Sequence, residues 1–174
     1  PLTVSGTNVS GDGRGYAPPG QTFLNGQTTI TGTFTGTVRG RDSITATWTG
    51  ETGETGTFDL LYNPIYERDS SLDLMAGTWI SVDEFQNPDA SFDIDAAGII
   101  SGQDDFGCLF TGQVGLINSN FNAYSLNVTV TNCGAVNGDY SGLGALTDSA
   151  VQNDIFAFQG DNNIVSLADF LIRQ

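Results

Sequence analysis

In residues 28–38, TTITGTFTGTV, threonines at Thr29, Thr31, Thr33, Thr35 and Thr37 alternate with Ile30, Gly32, Phe34, Gly36 and Val38. This period of two predicts a strand with one apolar and one wet face. The pattern continues in SITATW, where Ile44, Ala46 and Trp48 alternate with Ser43, Thr45 and Thr47, and in TGTFDLLY, where Phe58, Leu60 and Tyr62 alternate with Thr57, Asp59 and Leu61. With turns at RGRD and GETGE, residues 27–62 read as a three-strand meander packed on one side. A threonine face this regular would suit an ordered ligand such as ice or a polysaccharide only on a flat, wide sheet, and ordinary sheets twist.

Before the meander, residues 1–26 are rich in Gly, Thr, Asn and Pro. They read as an extended arm in which Leu2, Val4 and Val9 are the apolar contacts, able to add as a strand to a sheet edge of the same chain or a neighbour. After it, NPIYERDSSLDLMAGTW is a connector with room for one helical turn near Leu72, Leu74 and Met75. Strand patterns then recur as TWISV, SFDID, GIISG, CLFTGQVGLI, AYSLNVTV, GDYSGLGAL, DIFAFQ and IVSLADFLI, divided by turn signals such as DAAG, NSNFN, GAVNG and GDNN. The expected fold is all-β: an antiparallel up-and-down barrel or a two-layer sandwich with an extended N-terminal arm. In domain terms, the arm covers 1–26 and a single antiparallel domain covers 27–174, with the meander at 27–62 and the remaining strands at 72–174.

Cys108 and Cys133 are the two cysteines. A hairpin about NSNFN sets them opposite each other, with Phe110 facing Thr131 and Gly112 facing Thr129, so a cross-strand disulfide is expected. That register also sends Phe110, Val114 and Leu116 to the opposite face from Tyr124, Leu126, Val128 and Val130, so it needs a bulge or another connection. A structural disulfide points to an oxidising compartment.

Charge narrows the partners. Lys+Arg 5 against Asp+Glu 20 gives a net charge of -15, and every basic residue is arginine. Such a chain repels nucleic acid and anionic membrane surfaces. No apolar run is long enough for a membrane helix. The chain is read as a mature form beginning at Pro1, with a lipid anchor before that residue left open.

Chemistry is limited by the absence of histidine. Ser-His-Asp and Cys-His centres and His-containing zinc sites are excluded, and so are lysine bases. A carboxylate pair for an acidic glycosidase would have to come from Glu84, Asp104 or Asp105. The one metal-like spacing is DIDAAGIISGQD, where Asp93, Asp95 and Asp104 fall at positions 1, 3 and 12 of an EF-hand-like loop that would take calcium. Ala97 stands where a ligand belongs and the flanks read as strands, so the competing reading is a hairpin turning at DAAG. No other cofactor is expected. Trp48, Trp79, Phe110, Tyr124 and Tyr140, with Phe156 and Phe158, fall at inward positions, where they either fill a core or line a ligand cavity.

SLDLMAGTW, DIDAAGIISGQDDFGC, NAYSLNVTVTNC and NGDYSGLGAL together resemble a group of secreted or lipid-anchored β-proteins of Gram-negative bacteria, over roughly residue 28 to the C terminus. The resemblance implies an extracellular or cell-surface location, or the periplasm, and supplies no activity. Separately, AGTW followed by SFDIDAAGIISGQ is similar to the first hairpin of avidin-like and lipocalin-like barrels, although Trp79 lies three strands later than in a simple lipocalin. Three functions follow as expectations. The first is a non-enzymatic envelope protein acting through contacts with itself or other envelope proteins, joined by strand addition into a surface assembly or filament. The second is a lipocalin-like binder of a small hydrophobic ligand, and the third is the acidic glycosidase.

Overall fold

The computed structural model describes residues 2–17, 21–82, 85 and 87–174. The chain divides into two compact units, residues 1–64 and 65–174, so the boundary falls after the meander and not after residue 26. Two separate hydrogen-bonded ladders account for it: every strand of the first unit pairs only within that unit.

The first unit is a five-stranded antiparallel sheet in sequence order: β1 (Leu2–Ser5), β2 (Asn8–Tyr16), β3 (Thr29–Arg39), β4 (Ser43–Gly50) and β5 (Thr55–Leu61). The expected arm is therefore a hairpin of this sheet. Leu2 and Val4 pair with Gly11 and Val9, and β2 continues onto β3 with Val9 opposite Gly36. The glycines at 11, 13 and 15 alternate with polar residues as the apolar residues of the later strands do, and this regularity lets the segment join the ladder. Across β3, β4 and β5, Thr35, Thr47 and Thr57 stand in one row and Thr33, Thr49 and Thr55 in the next. The opposite face holds Val9, Ile30 and Ala46, all buried, and Phe34 edge-on to Phe58 at 5.6 Å. Glycine is needed at Gly36, where a Cβ would lie 2.1 Å from the Thr45 carbonyl oxygen.

The second unit is a closed eight-stranded barrel of β6 (Gly77–Val82), β7 (Pro88–Ile94), β8 (Ile99–Asp104), β9 (Leu109–Leu116), β10 (Tyr124–Thr131), β11 (Gly138–Thr147), β12 (Ile155–Asp161) and β13 (Ser166–Arg173). Each strand pairs antiparallel with the next, and β13 returns to β6 through Ile172 opposite Ile80 and Arg173 opposite Trp79. The barrel begins at Gly77, so Trp79 stands on its first strand. The five strands that precede it in the sequence, the three of the meander among them, belong to the other unit.

Closure makes one face of every strand an interior. Trp79, Ile94, Ile100, Val114, Tyr124, Leu126, Leu146, Phe156 and Leu171 are buried there in one cluster with Met75. Gly144 of the GDYSGLGAL segment is an inward strand position and not a turn: the Phe156 ring lies over it, and a Cβ would meet that ring at 2.4 Å. Pairing small with large inward residues is how a narrow barrel accommodates its aromatic side chains.

The β9–β10 register differs by one residue from the expected one. Phe110 faces Val130 and Gly112 faces Val128, which places the apolar rows of both strands on the inner face and removes the conflict that strict opposition of the cysteines would create. The disulfide still forms. Asn132 takes a left-handed conformation (φ 59°) just past the end of β10 and brings Cys133 to Cys108 with 4.7 Å between Cα atoms. No cysteine is free. The pairing fits a non-cytoplasmic, oxidising setting, and among the described residues no helix is long and apolar enough to cross a membrane.

Candidate functional site

The barrel has two unlike ends. At the floor, where β6 starts and β13 finishes, residues 65–76 cross the opening and are tied in by buried polar groups. The Trp79 indole donates to the Met75 carbonyl at 2.8 Å, and the Tyr124 hydroxyl reaches the Ser71 carbonyl at 3.4 Å. The Arg173 guanidinium lies 4.2 Å from the centre of the Trp79 ring and donates to the carbonyls of Ala76, at 2.8 Å, and Leu74. Burial pushes the Tyr124 hydroxyl pKa up and that of Arg173 down. On the rim of the floor, Arg68 pairs with Asp148 at 2.6 Å, and this contact holds the Asp148 carboxyl down to about 2.

Asn122 completes the seal. Its amide donates to the Leu146 carbonyl at 2.6 Å and the Ile65 carbonyl at 3.2 Å, and its oxygen accepts the Leu146 N–H at 2.9 Å. Because it is 3 % exposed, its removal would strand buried backbone groups. Asn122→Ala should cost about 2–3 kcal/mol, read as a lower urea midpoint with unchanged slope. A midpoint equal to that of the parent protein would show that the floor does not depend on this bridge.

At the other end, the mouth, the interior opens into a cavity of about 250 Å³. Its walls are largely apolar. Phe92 and Phe110 pack at 5.1 Å and Phe158 stacks on Phe156 at 5.8 Å, with Val128 and Tyr140 also on the wall. The Tyr140 hydroxyl donates outward to the Val136 carbonyl at 2.7 Å, so its ring and not its hydroxyl faces the cavity's apolar wall. Small inward residues, Ala90 and Gly160, leave the space that Trp79, Tyr124 and Phe156 fill lower down. The disulfide joins the two mouth loops that follow β8 and β10, and Phe106, 87 % exposed, overhangs the opening from the first of them.

Polar groups on the cavity wall cluster on one arc. The Ser81 hydroxyl donates to Asp169 Oδ2 at 2.7 Å; Ser81 pairs with Ala90 and Ala90 with Asp104. Asp104 Oδ1 accepts the N–H groups of Phe106 and Cys108 at 2.9 and 2.8 Å, shaping the loop. Asp89 lies in an irregularity of the ladder, where Ser81 faces Ala90 but Val82 faces Pro88. This bulge brings to the cavity wall a residue that plain alternation would send outward. Its Oδ1 is buried and has no hydrogen-bond partner among the described residues.

The residues anticipated from the sequence separate accordingly. Trp79, Phe110, Tyr124 and Tyr140 share the barrel interior, Trp79 and Tyr124 at the floor and the other two at the cavity, whereas Trp48 belongs to the five-stranded sheet. The calcium spacing does not converge. Asp93 accepts from Thr78 Oγ1 at 2.7 Å, Asp95 accepts the N–H groups of Ala97 and Ile99 in the DAAG turn at the floor, and Asp104 is at the mouth, at the far end of β8. A straight two-stranded hairpin separates them where a calcium loop would wrap. Asp104 also lies within 4.8 Å of both cysteine sulfurs, but those are consumed by the disulfide. Among the glycosidase candidates, Glu84 lies outside the described residues, and Asp105 is exposed beside the mouth. Sequence reading missed Asp89, Asp169, Ser81, Asn122 and Arg173. Asp169 was visible as a polar residue between inward Leu167 and Leu171, while Asp89 was hidden by the bulge.

Comparison of the chain with protein-family models, curated proteins and solved structures finds no match.

Proposed function

We propose that the protein is a lipocalin-like binder of a small, largely apolar molecule, held in the mouth of the barrel. One observation carries the reading: a barrel sealed by a hydrogen-bonded floor keeps an apolar cavity of about 250 Å³ open at the opposite end. Concave apolar sites with few polar groups are the usual form of small-molecule sites, and barrel mouths are a common location for them. A barrel serving only as a scaffold would gain stability by filling the space, since contacts forfeited along a void cost free energy. The alternative of assembly by strand addition has less geometric support, because residues 2–16 are already paired within their own sheet. The disulfide and the acidic surface favour an extracellular or envelope location for such a binder.

The test is titration with the neutral fluorophore N-phenyl-1-naphthylamine. Saturable, one-site, blue-shifted emission is expected, and Val128→Trp, which projects an indole into the cavity, should weaken it at least tenfold while the barrel keeps its far-ultraviolet spectrum. Emission that fails to saturate, or equal affinity in the variant, would remove the reading.

A further inference from the structure

We propose that the molecule bound in the mouth of the barrel carries an organic cation, an ammonium group on an apolar body, and that Asp89, Asp104 and Asp169 receive it. The inference rests on the reading of the cavity as a small-molecule site and specifies the charge of its ligand. Among the described residues three carboxylates line the cavity, and the ladder sets them on one arc: Asp169 bonds Ser81, Ser81 faces Ala90, and Ala90 is flanked by Asp89 and faces Asp104. Neighbouring strands are about 4.8 Å apart, so Asp169 and Asp104, three strands apart in the ladder, flank Asp89, and a cation at the mouth lies in the field of all three.

No arginine lines the cavity, and the chain has no lysine or histidine. The two arginines of the barrel unit are committed at the floor, Arg68 to Asp148 and Arg173 to Trp79 and two carbonyls. The acids at the mouth thus have no internal counter-ion among the described residues. An anion such as a fatty acid would add a fourth negative charge to the arc. A neutral apolar ligand would take water from the mouth and leave the carboxylates on its wall less well screened from one another. An ammonium group on the ligand relieves that mutual repulsion.

The surroundings fit an organic cation better than a metal ion. Asp104 Oδ1 is occupied by two N–H groups, and Asp169 is engaged by Ser81 and by the Phe170 N–H at 2.7 Å. A divalent ion needing six or more oxygens would meet carbon on most sides. The rings of Phe110, Tyr140 and Phe158, from strands β9, β11 and β12 around the rest of the cavity, suit the apolar body, and aromatic faces also attract organic cations.

The experiment compares three probes sharing one body, 4-phenylbutylamine, 4-phenylbutanol and 4-phenylbutyrate, by calorimetric titration of the whole protein at low and high salt. The amine should bind at least tenfold more tightly than the alcohol and the carboxylate most weakly, with the amine's advantage shrinking as salt rises. Asp89→Asn, which keeps shape and removes charge, should cut that advantage at least threefold, and the triple variant D89N/D104N/D169N should abolish it. Equal binding of amine and alcohol, tighter binding of the carboxylate, or an advantage that survives the triple variant would overturn the cationic assignment while leaving the cavity as a site for apolar ligands. No heat with any probe would overturn both.

Discussion

Replacing Arg173 by alanine should lower the melting temperature of the barrel unit by about 12 °C, a larger effect than an arginine on a strand usually gives. This guanidinium covers the Trp79 ring and donates to two carbonyls of the floor connector. Loss of the ring contact is worth about 1 kcal/mol, and two charge-assisted hydrogen bonds add roughly 2 kcal/mol more once the orphaned carbonyls recover some water. In a unit of this size about 1 kcal/mol corresponds to roughly 4 °C. Arg173→Lys should recover only part of the loss, because an ammonium cannot stack and fork at once. Circular dichroism melts of R173A, W79A and the double variant would close a cycle. Coupling below about 0.5 kcal/mol would show that the two side chains act independently.

Opening the disulfide should have the second large effect. Cys108 and Cys133 are 25 residues apart, and constraint of a loop of that length stabilises by about 3 kcal/mol. Cys108→Ser/Cys133→Ser should therefore lower the unfolding free energy by that amount, read as a lower urea midpoint, and dithiothreitol should bring the parent protein to the same midpoint. Because the bridge joins two loops of the mouth, the variant should also bind the apolar fluorophore several-fold more weakly. Unchanged unfolding together with unchanged binding would reduce the bridge to a passive link.

Much of this architecture is legible in the chain. Period-two alternation marks all eight barrel strands and the later three strands of the sheet, since each buries one face and wets the other. The arm was harder to read: its inward positions at Gly11, Gly13 and Gly15 carry no side chain, so its alternation lacks a hydrophobic signal. Opposing the two cysteines in strict register sets β9–β10 one residue away from the pairing that matches the apolar rows, which is why that register calls for a bulge or another connection. One left-handed residue, Asn132, satisfies both. At the site, the aromatic wall follows from parity, and Asp169 does too. Asp89 cannot be found that way, because a bulge reverses the facing of a residue without leaving a mark in local composition. Arg173 was hidden for another reason: its partners, Leu74, Ala76 and Trp79, are about a hundred positions upstream and meet it only when the barrel closes.

The floor carries both the entry into β6 and the exit from β13, so the mouth is made only of connections between strands already adjacent in the ladder. Segments 105–108, 132–137 and 162–165 can be replaced by loops of other lengths and sequences without rerouting the chain. The barrel is thus suited to loop grafting, with 162–165 the freest position because the disulfide yokes the other two.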